Sequence, residues 1–202
     1  MYGKVVKRGL DFGLSFLAII VLSPLLLVLT VVGAVKMKGN PFFTQERPGW
    51  HEKIFKLIKF RTMTNEKDHD GNWLPDEQRL IPYGKFLRAT SLDELPELFN
   101  ILIGNMAIIG PRPLLVKYLP RYSVEQHRRH EVRPGLTGYA QAHGRNAVTW
   151  EEKFKMDVWY VDHVSFKVDV GVFCATIRGV LKREGISGGG TETMSEFMGT
   201  ES

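Results

Sequence analysis

The chain has 202 residues, a net charge of +5 and one cysteine, Cys174. That length fits one domain of ordinary size, and the sequence shows no internal repeat and no second domain. A lone cysteine excludes an intrachain disulfide and fits a reducing compartment. The charge is uneven, since residues 1–61 carry ten Lys and Arg against three acids. This basic front end predicts an anionic partner such as lipid head groups, a nucleotide diphosphate or nucleic acid.

An uncharged segment of 24 residues, numbers 12–35, lies close to the N-terminus. As a helix it would reach ~36 Å, enough to cross a hydrocarbon core of ~30 Å. Two features argue against a simple crossing. Ser23-Pro24 at its midpoint favours a kink, because proline removes one backbone hydrogen bond and clashes with the preceding turn. Basic residues flank both ends, which the positive-inside rule places in the cytoplasm.

A re-entrant helix with its bend at Ser23 and Pro24 satisfies both demands, since each leg would reach only ~18 Å into the bilayer. The Ser23 hydroxyl is expected to bond a carbonyl that the proline leaves free, because unpaired backbone groups are unfavourable in lipid. A Pro-kinked helix that spans the membrane, with Lys36 and Lys38 outside, is one alternative. A signal peptide is another, although the apolar run is much longer than the usual 7–15 residues.

Short elements follow this segment. Residues 40–53 carry the Pro and Gly punctuation of a loop, and residues 53–63 have the composition of a short strand or hairpin arm. Residues 83–106 predict a helix, a break around Thr90-Ser91 and a second helix that ends near Gly104.

Two more helices are predicted at residues 150–166 and 168–183. In the second, Val170, Phe173 and Ile177 fall on one face, which is typical of a helix packed on a core. A helix that lies at the membrane interface is the alternative. The composition after residue 185 predicts a flexible tail.

The stretch TSLDELPEL, residues 90–98, sets Asp93 beside Glu94. Ser91 as N-cap with Glu94 three residues later would be a capping box, which explains Glu94 without catalysis but leaves Asp93 unexplained. A helix that starts at Asp93 would instead put Pro96 in its first turn, where proline is tolerated. In either case the helix dipole would lower the pKa of both carboxylates. An ionised aspartate is a competent nucleophile toward phosphorus.

A carboxylate that attacks a phosphate needs cations that screen its approach and stabilise the developing charge. The candidates are Lys59, Arg61, Arg88 and Arg112. Each of the first three, taken singly, is more simply explained as a solvated surface charge. The prolines on both sides of Arg112 restrict its backbone and favour an oriented bidentate contact. Mg²⁺ also fits, because it takes one or two carboxylates together with substrate phosphates.

Taken together, these segments resemble the monotopic bacterial phosphoglycosyl transferases that act on polyprenol phosphate, and most closely the small enzymes that start N-linked or O-linked glycan assembly. The resemblance covers residues 1–185 and rests on several motifs in order: the basic N-terminus, Ser23-Pro24, KFRTM, SLDELPEL, GPRP, RPGLTGYAQAHGRN and the terminal helices. It implies a mostly α fold with short β elements (α+β). The implied parts are a re-entrant membrane helix at residues 1–38, a small cytoplasmic catalytic domain with interfacial amphipathic helices at residues 39–185, and a flexible tail at residues 186–202.

The resemblance also implies a reaction. A UDP-sugar would donate its sugar phosphate to polyprenol (undecaprenyl) phosphate and release UMP, in two steps through a phosphosugar on Asp93, with Mg²⁺ bound beside that aspartate. Glu94 would assist proton handling or position the lipid phosphate, and Arg112 would lie near the phosphates. Further candidate substrate-binding residues in matching segments are Lys59, Arg88, Arg145 and Asp157.

The implied partners are a UDP-sugar, polyprenol phosphate and the lipid of the bacterial inner membrane at its cytoplasmic face, with downstream glycosyltransferases as further candidates and no nucleic acid. Lys7, Arg8, Lys36 and Lys38 would contact lipid phosphates.

Two rival functions stay open: a membrane-tethered module that binds nucleic acid or anionic lipid through residues 47–61, and a phosphatase or nucleotidyl transferase that uses the same aspartate. The sequence has no GxxxxGK[ST] loop, HExxH motif or CxxC pair, which removes common competitors.

Overall fold

The computed structural model describes residues 2–144, 148–181 and 196–199. Within these residues the chain is mostly helical with short strands, as expected. The helices are α1 Lys7–Lys36, α2 Asp76–Arg79, α3 Pro82–Thr90, α4 Glu97–Ile103, α5 Val124–His127, α6 Tyr139–His143, α7 Trp150–Asp162 and α8 Phe166–Leu181. The strands are β1 Phe42–Pro48, β2 Ile54–Phe60, β3 Ala107–Ile109 and β4 Gly135–Thr137.

Helix α1 continues through Ser23 and Pro24 without a loop. The Ser23 hydroxyl donates to the carbonyl of Ile20 over 2.8 Å. Ile20 lies four residues before Pro24, so this is the carbonyl that the proline leaves without its backbone donor. The predicted compensation by Ser23 is therefore confirmed. Among the described residues, α1 is the one helix long and apolar enough to cross a membrane.

One face of α1 packs on the rest of the protein along the whole helix. The side chains on this face are buried or partly buried and recur every three or four residues, as expected for one helical face; they are Lys7, Asp11, Ser15, Ala18, Ile19, Leu22, Leu26, Leu29 and Gly33. The opposite face is apolar and exposed, with Phe12, Phe16, Leu17, Val21, Val28 and Val35 among its members. A long exposed apolar stripe on a helix that also packs on a protein body is typical of a surface that meets lipid.

Two arginines hold the C-terminal end of α4. Arg8 of α1 donates to the carbonyls of Ile101 and Leu102 at 2.6 and 2.7 Å. Arg133 donates to the carbonyl of Gly104 over 2.9 Å. The last carbonyls of a helix lack intrahelical donors and carry partial negative charge, so both guanidinium groups stabilise this end. Arg8 therefore has protein partners on α4, and its contact with lipid phosphate stays a prediction.

Asp169 of α8 is a second anchor point for α1. Its buried carboxylate accepts hydrogen bonds from Lys7 Nζ at 2.7 Å, from the Tyr2 hydroxyl at 2.6 Å and from the Tyr160 hydroxyl at 2.7 Å. Tyr160 also contacts the carbonyl of Ile109 at 3.2 Å. This network joins the start of α1 to β3, which leads directly into the GPRP turn.

β1 and β2 form an antiparallel hairpin in which Phe42 pairs with Phe60 and Pro48 with Ile54. The prediction of a strand for the KIFKLIKF segment is confirmed, whereas the prediction of a loop for residues 40–53 is wrong over β1. The Pro and Gly signals of that segment mark only the ends and the turn of the hairpin, and the residues between them alternate between its two faces.

The GPRP turn, residues 110–113, lies against the RPG segment, residues 133–135, that leads into β4. β3 and β4 pair in parallel, with Ala107 opposite Gly135 and Ile109 opposite Thr137. A Cβ added to Gly135 would stand 2.1 Å from the backbone nitrogen of Gly110. Glycine is therefore required where these two backbones meet, and their close approach fixes the backbone next to the turn.

The apolar face of α8 does not lie in the core. Val170, Phe173 and Ile177 are exposed, while Val172 on another face is buried. The prediction that this face packs on a core is therefore wrong, and the exposed stripe instead fits the interfacial alternative. Of the tail predicted at residues 186–202, residues 196–199 are described, and there Phe197 packs in a buried aromatic cluster.

Candidate active site

The acidic pair lies in a 3₁₀ turn, Leu92–Glu94, between α3 and α4. The predicted break is confirmed, since α3 ends at Thr90 and Ser91 has left-handed backbone angles, with φ 55°. The predicted end of the second helix is also confirmed, because Gly104 caps α4 in the left-handed region. Neither predicted helix start is observed. The Ser91 side chain makes no capping bond, and the regular helix begins at Glu97.

Two distant segments of the chain meet at Glu94. Its Oε1 accepts from Lys59 Nζ of β2 at 2.7 Å and from the Arg112 guanidinium of the GPRP turn. Lys59 also lies 3.1 Å from Oε1 of Glu97. The structure thus brings Lys59 and Arg112, which are 35 and 18 residues from Glu94, to the acidic pair.

The two carboxylates of the pair differ in environment. Burial alone would raise the pKa of Glu94, but the charges and hydrogen bonds of Arg112 and Lys59 outweigh it and lower the pKa to about 2. The pKa of Asp93 is raised, by burial first and then by the neighbouring Glu94 charge, against the opposing effect of Lys59 and Arg112. The expectation that a helix dipole lowers both pKa values is therefore wrong for Asp93. Desolvation and an adjacent anion act on that carboxyl more strongly than its cations do.

Within the described residues, no side chain donates a hydrogen bond to the Asp93 carboxylate, whereas Glu94 is held by two cations. Asp93 is half-buried, so its oxygens can meet a ligand. Carboxylate oxygens are ligands that Mg²⁺ prefers, and the ion takes one or two of them from the protein. An oxygen of Asp93 could therefore serve as the protein ligand of a Mg²⁺ ion whose other ligands are substrate phosphates and water.

Glu97 is a member of the site that the sequence reasoning missed. Only 2 % of the residue is exposed. Its pKa is raised to about 7, by burial first and by the charge of Glu94, although Lys59 opposes the shift. The available signal was the third acid of SLDELPEL, which stands four residues after Asp93, or about one helical turn.

Replacing Glu97 with Gln is expected to stabilise the fold more at pH 8 than at pH 5. The folded protein holds the Glu97 proton up to about pH 7, while an unfolded glutamate releases it near 4.5. Stability therefore falls as pH rises between those values, and Gln removes this loss, which is on the order of 3 kcal/mol at most. Thermal unfolding of both proteins at the two pH values measures the difference. The exposed Glu77→Gln serves as control, and an equal gain from Glu97→Gln at both pH values would contradict the assignment.

A buried ion pair holds the backbone of Arg112 in place. Arg129 donates to Asp157 through Nη2 at 2.8 Å and Nε at 3.1 Å, and its Nη2 also donates to the carbonyl of Arg112 at 2.7 Å. The side chains of the pair are 1 % and 3 % exposed. Asp157 therefore lies behind the site, where it neutralises Arg129 and holds the arginine that fixes the turn. The resemblance pointed to Asp157 but not to Arg129, because no local pattern joins two residues that are 28 positions apart.

The remaining predicted residues are more peripheral. Arg88 is exposed on α3 and donates to the Thr62 hydroxyl over 3.1 Å, next to the KFRTM segment. Arg61 of the same segment donates to the carbonyl of Phe42 over 3.3 Å. Arg145 lies outside the described residues.

Comparison with known proteins places the chain in a family. Residues 2–183 match the family model described as bacterial sugar transferase. An uncharacterized sugar transferase of Bacillus subtilis, EpsL, is 48% identical over 196 residues, which is 97% of each chain. The undecaprenyl-phosphate galactose phosphotransferase of Salmonella typhimurium is 34% identical over 90% of this chain and 42% of its own length. The UDP-glucose:undecaprenyl-phosphate glucose-1-phosphate transferase of Klebsiella pneumoniae is 37% identical over 86% of this chain and 39% of its own.

The chain belongs to this family of bacterial sugar transferases, and the phosphoglycosyl transferase resemblance drawn from its motifs is confirmed. It spans nearly all of the Bacillus relative but less than half of the two relatives with named reactions.

Proposed function

We propose that this protein transfers a sugar phosphate from a UDP-sugar to undecaprenyl phosphate, releases UMP and forms the membrane-bound diphosphosugar that starts a glycan. The named reactions of the Salmonella and Klebsiella relatives support the class of acceptor. The observation that carries the proposal is the contrast within the pair. Asp93 has no side-chain donor on its carboxylate among the described residues, and it stands next to Lys59 and Arg112.

In the first step an oxygen of Asp93 attacks the β-phosphorus of the donor. A bond forms between that oxygen and phosphorus, the bond to the α-phosphate oxygen breaks, and UMP leaves with the electron pair. In the second step an oxygen of the lipid phosphate attacks the same phosphorus and releases Asp93 as a carboxylate. Lys59 and Arg112 lie where they can stabilise negative charge on the phosphoryl oxygens. Mg²⁺ held by Asp93 would supply further positive charge to the diphosphate.

Glu94 has a different role in this scheme. A carboxylate with a pKa of about 2 remains ionised and is a poor proton carrier near neutral pH. Its two short ion pairs instead hold Lys59 and Arg112 in place. We therefore assign Glu94 to the orientation of these two cations.

The position of α1 supports a monotopic arrangement with both helix ends in the cytoplasm. A straight helix of 30 residues is ~45 Å long. The same protein body contacts it near both ends, through Arg8 on α4 and through the Tyr83 hydroxyl, which donates to the carbonyl of Leu29 over 2.9 Å. If α1 crossed the bilayer, this body would have to enter the hydrocarbon. A re-entrant α1 whose exposed apolar face meets lipid avoids that problem, and the exposed stripe of α8 would lie at the same surface.

Cysteine labelling tests this topology. In a Cys174→Ser background, Val5→Cys and Gly39→Cys each place one thiol near one end of α1. Val5 is exposed, and a Cβ at Gly39 meets nothing within 4 Å. Both thiols are expected to react with a membrane-impermeant maleimide in inside-out vesicles and to stay unreacted in intact spheroplasts. Labelling of one thiol from each side would show that α1 spans the membrane.

The reaction is tested by incubating the full-length protein, Mg²⁺ and a panel of UDP-sugars with and without undecaprenyl phosphate. The expected result is sustained UMP release with at least one donor, only when the lipid phosphate is present. Release of UMP or of free phosphate that does not depend on the lipid would favour the phosphatase or nucleotidyl transferase alternative.

A further inference from the structure

The inner face of the β1–β2 hairpin carries a second basic side chain besides Lys59. Arg47 stands opposite Phe55 in the register, and Lys59 lies four residues beyond Phe55 on the same strand. Because side chains alternate along a strand, Arg47, Phe55 and Lys59 share one face. Phe55 is buried in the core that includes Leu98 and Ile101 of α4. Arg47 therefore projects from the face that covers the acidic pair and the GPRP turn.

The hydrogen bonds of Arg47 all go to neutral groups. Its Nη2 donates to Oε1 of Gln45 at 2.7 Å, and its Nη1 to the carbonyl of Pro113 at 3.4 Å. Its Nε is buried and has no hydrogen-bond partner. Among the described residues, no carboxylate forms an ion pair with Arg47, whereas Lys59 and Arg112 both pair with Glu94.

Arg47 contacts the carbonyl of Pro113, which is the residue after Arg112 in the sequence. The two arginines are therefore neighbours in the fold. Burial first, and then the charge of Arg112, lower the pKa of Arg47, so the two guanidinium groups are close enough to repel. The charge of Glu97 acts on Arg47 in the opposite direction, but Glu97 forms no ion pair with it. Of the two neighbouring guanidinium groups only Arg112 is paired directly with a carboxylate, so the charge arrangement is incomplete. A guanidinium fork is suited to the oxygens of a phosphate group, and Arg47 is partly exposed, so a ligand can reach it.

We propose that Arg47 is a phosphate-binding residue of this site, which holds a phosphate group of one of the two substrates beside Arg112 while Asp93 reacts. This inference rests on the proposed function. The phosphate could belong to the nucleotide donor or to the lipid acceptor, and the two sources are separated by the kinetics of each substrate.

The variants are Arg47→Gln, Arg47→Lys and the control Lys56→Gln. Gln keeps a polar group near Gln45 but removes the charge, and Lys keeps the charge but removes the fork. Lys56 is exposed and lies one residue after Phe55, so it is on the opposite face of the same hairpin. The full-length proteins are compared by the KM for UDP-sugar, the KM for undecaprenyl phosphate, the affinity for UDP by calorimetric titration, and the Tm.

Arg47→Gln is expected to raise one of the two KM values by about 10- to 100-fold, as for a lost hydrogen bond to a charged group, with the Lys variant in between and Lys56→Gln unchanged. A rise confined to the UDP-sugar, together with weaker UDP binding, assigns the donor phosphate. A rise confined to the KM for undecaprenyl phosphate assigns the acceptor phosphate.

Unchanged KM values and UDP affinity, or a fall in kcat that only follows a fall in Tm, would overturn the proposal. If wild-type protein binds UDP but releases no UMP, the proposed function fails. Weaker UDP binding by Arg47→Gln would then still assign Arg47 to the nucleotide phosphate, and unchanged UDP binding would rule that assignment out.

Discussion

Asp93→Asn is expected to lower lipid-dependent UMP release by at least about 10³-fold, as for the loss of a catalytic nucleophile. The amide is neutral and far less nucleophilic than the carboxylate, so the first step loses its attacking group. The substitution is nearly isosteric, and Asp93 is only half-buried without a side-chain donor among the described residues. The fold is therefore expected to tolerate it, with a Tm close to that of the wild type.

Two further variants make this result specific. Asp76→Asn changes an exposed aspartate of α2, whose side chain is 74% exposed, and is expected to leave UMP release unchanged. Glu94→Gln removes the ion pairs with Lys59 and Arg112 but keeps the nucleophile, so its loss is expected to be smaller than that of Asp93→Asn. Substantial UMP release by Asp93→Asn would show that another group attacks the phosphorus.

The second large effect is expected from Asp157→Asn, which should destabilise the fold by about 3–5 kcal/mol, the range found when one partner of a buried ion pair is removed. The variant leaves the guanidinium of Arg129, 1 % exposed, without its counter-charge. Because Arg129 also donates to the carbonyl of Arg112, activity at permissive temperature should fall as well. Chemical unfolding of the detergent-solubilised protein measures the change.

Asp162→Asn provides the matched control on the same helix. Asp162 pairs with Arg128, whose side chain is 33 % exposed while that of Asp162 is 44 % exposed. Water screens such a pair, so its loss should leave stability close to that of the wild type. Equal destabilisation by Asp157→Asn and Asp162→Asn would contradict the view that burial of the Arg129 charge dominates the effect.

Local signals account for the parts of the fold that sequence could predict. The length and apolar composition of α1 identify it, and a proline four residues after Ile20 predicts which carbonyl needs the Ser23 hydroxyl. Gly104 marks the end of α4 because its φ of 95° lies in the left-handed region, which glycine enters without strain. These features depend only on neighbouring residues.

Long-range pairing accounts for the parts that sequence could not predict. Lys7 and Asp169 are 162 residues apart, and no single-sequence pattern joins them. Strand β1 was not predicted, because the Pro and Gly residues at the ends of the hairpin gave residues 40–53 the composition of a loop. Without that strand, the alternation that puts Arg47 and Lys59 on one face could not be used. The periodicity of α8 correctly predicted which residues form its apolar face, but it did not predict what that face contacts. An amphipathic helix can pack on a core or meet lipid equally well.

The candidate site follows the same division. The motif predicts phosphate chemistry, since adjacent acids, a proline-flanked arginine and nearby basic residues favour it. The different environments of Asp93 and Glu94 could not be predicted from sequence, because they depend on which of the two carboxylates Lys59 and Arg112 contact in the fold. The contacts fix Glu94 as their partner and leave Asp93 available.

The most direct test of the central claim is the mass of the intact protein after incubation with a UDP-sugar and Mg²⁺ in the absence of lipid. The account predicts an added mass of one sugar phosphate on the peptide that contains Asp93. This mass should disappear when undecaprenyl phosphate is added and should never form in Asp93→Asn. An adduct on another residue, or no adduct with a donor that supports lipid-dependent UMP release, would contradict the account.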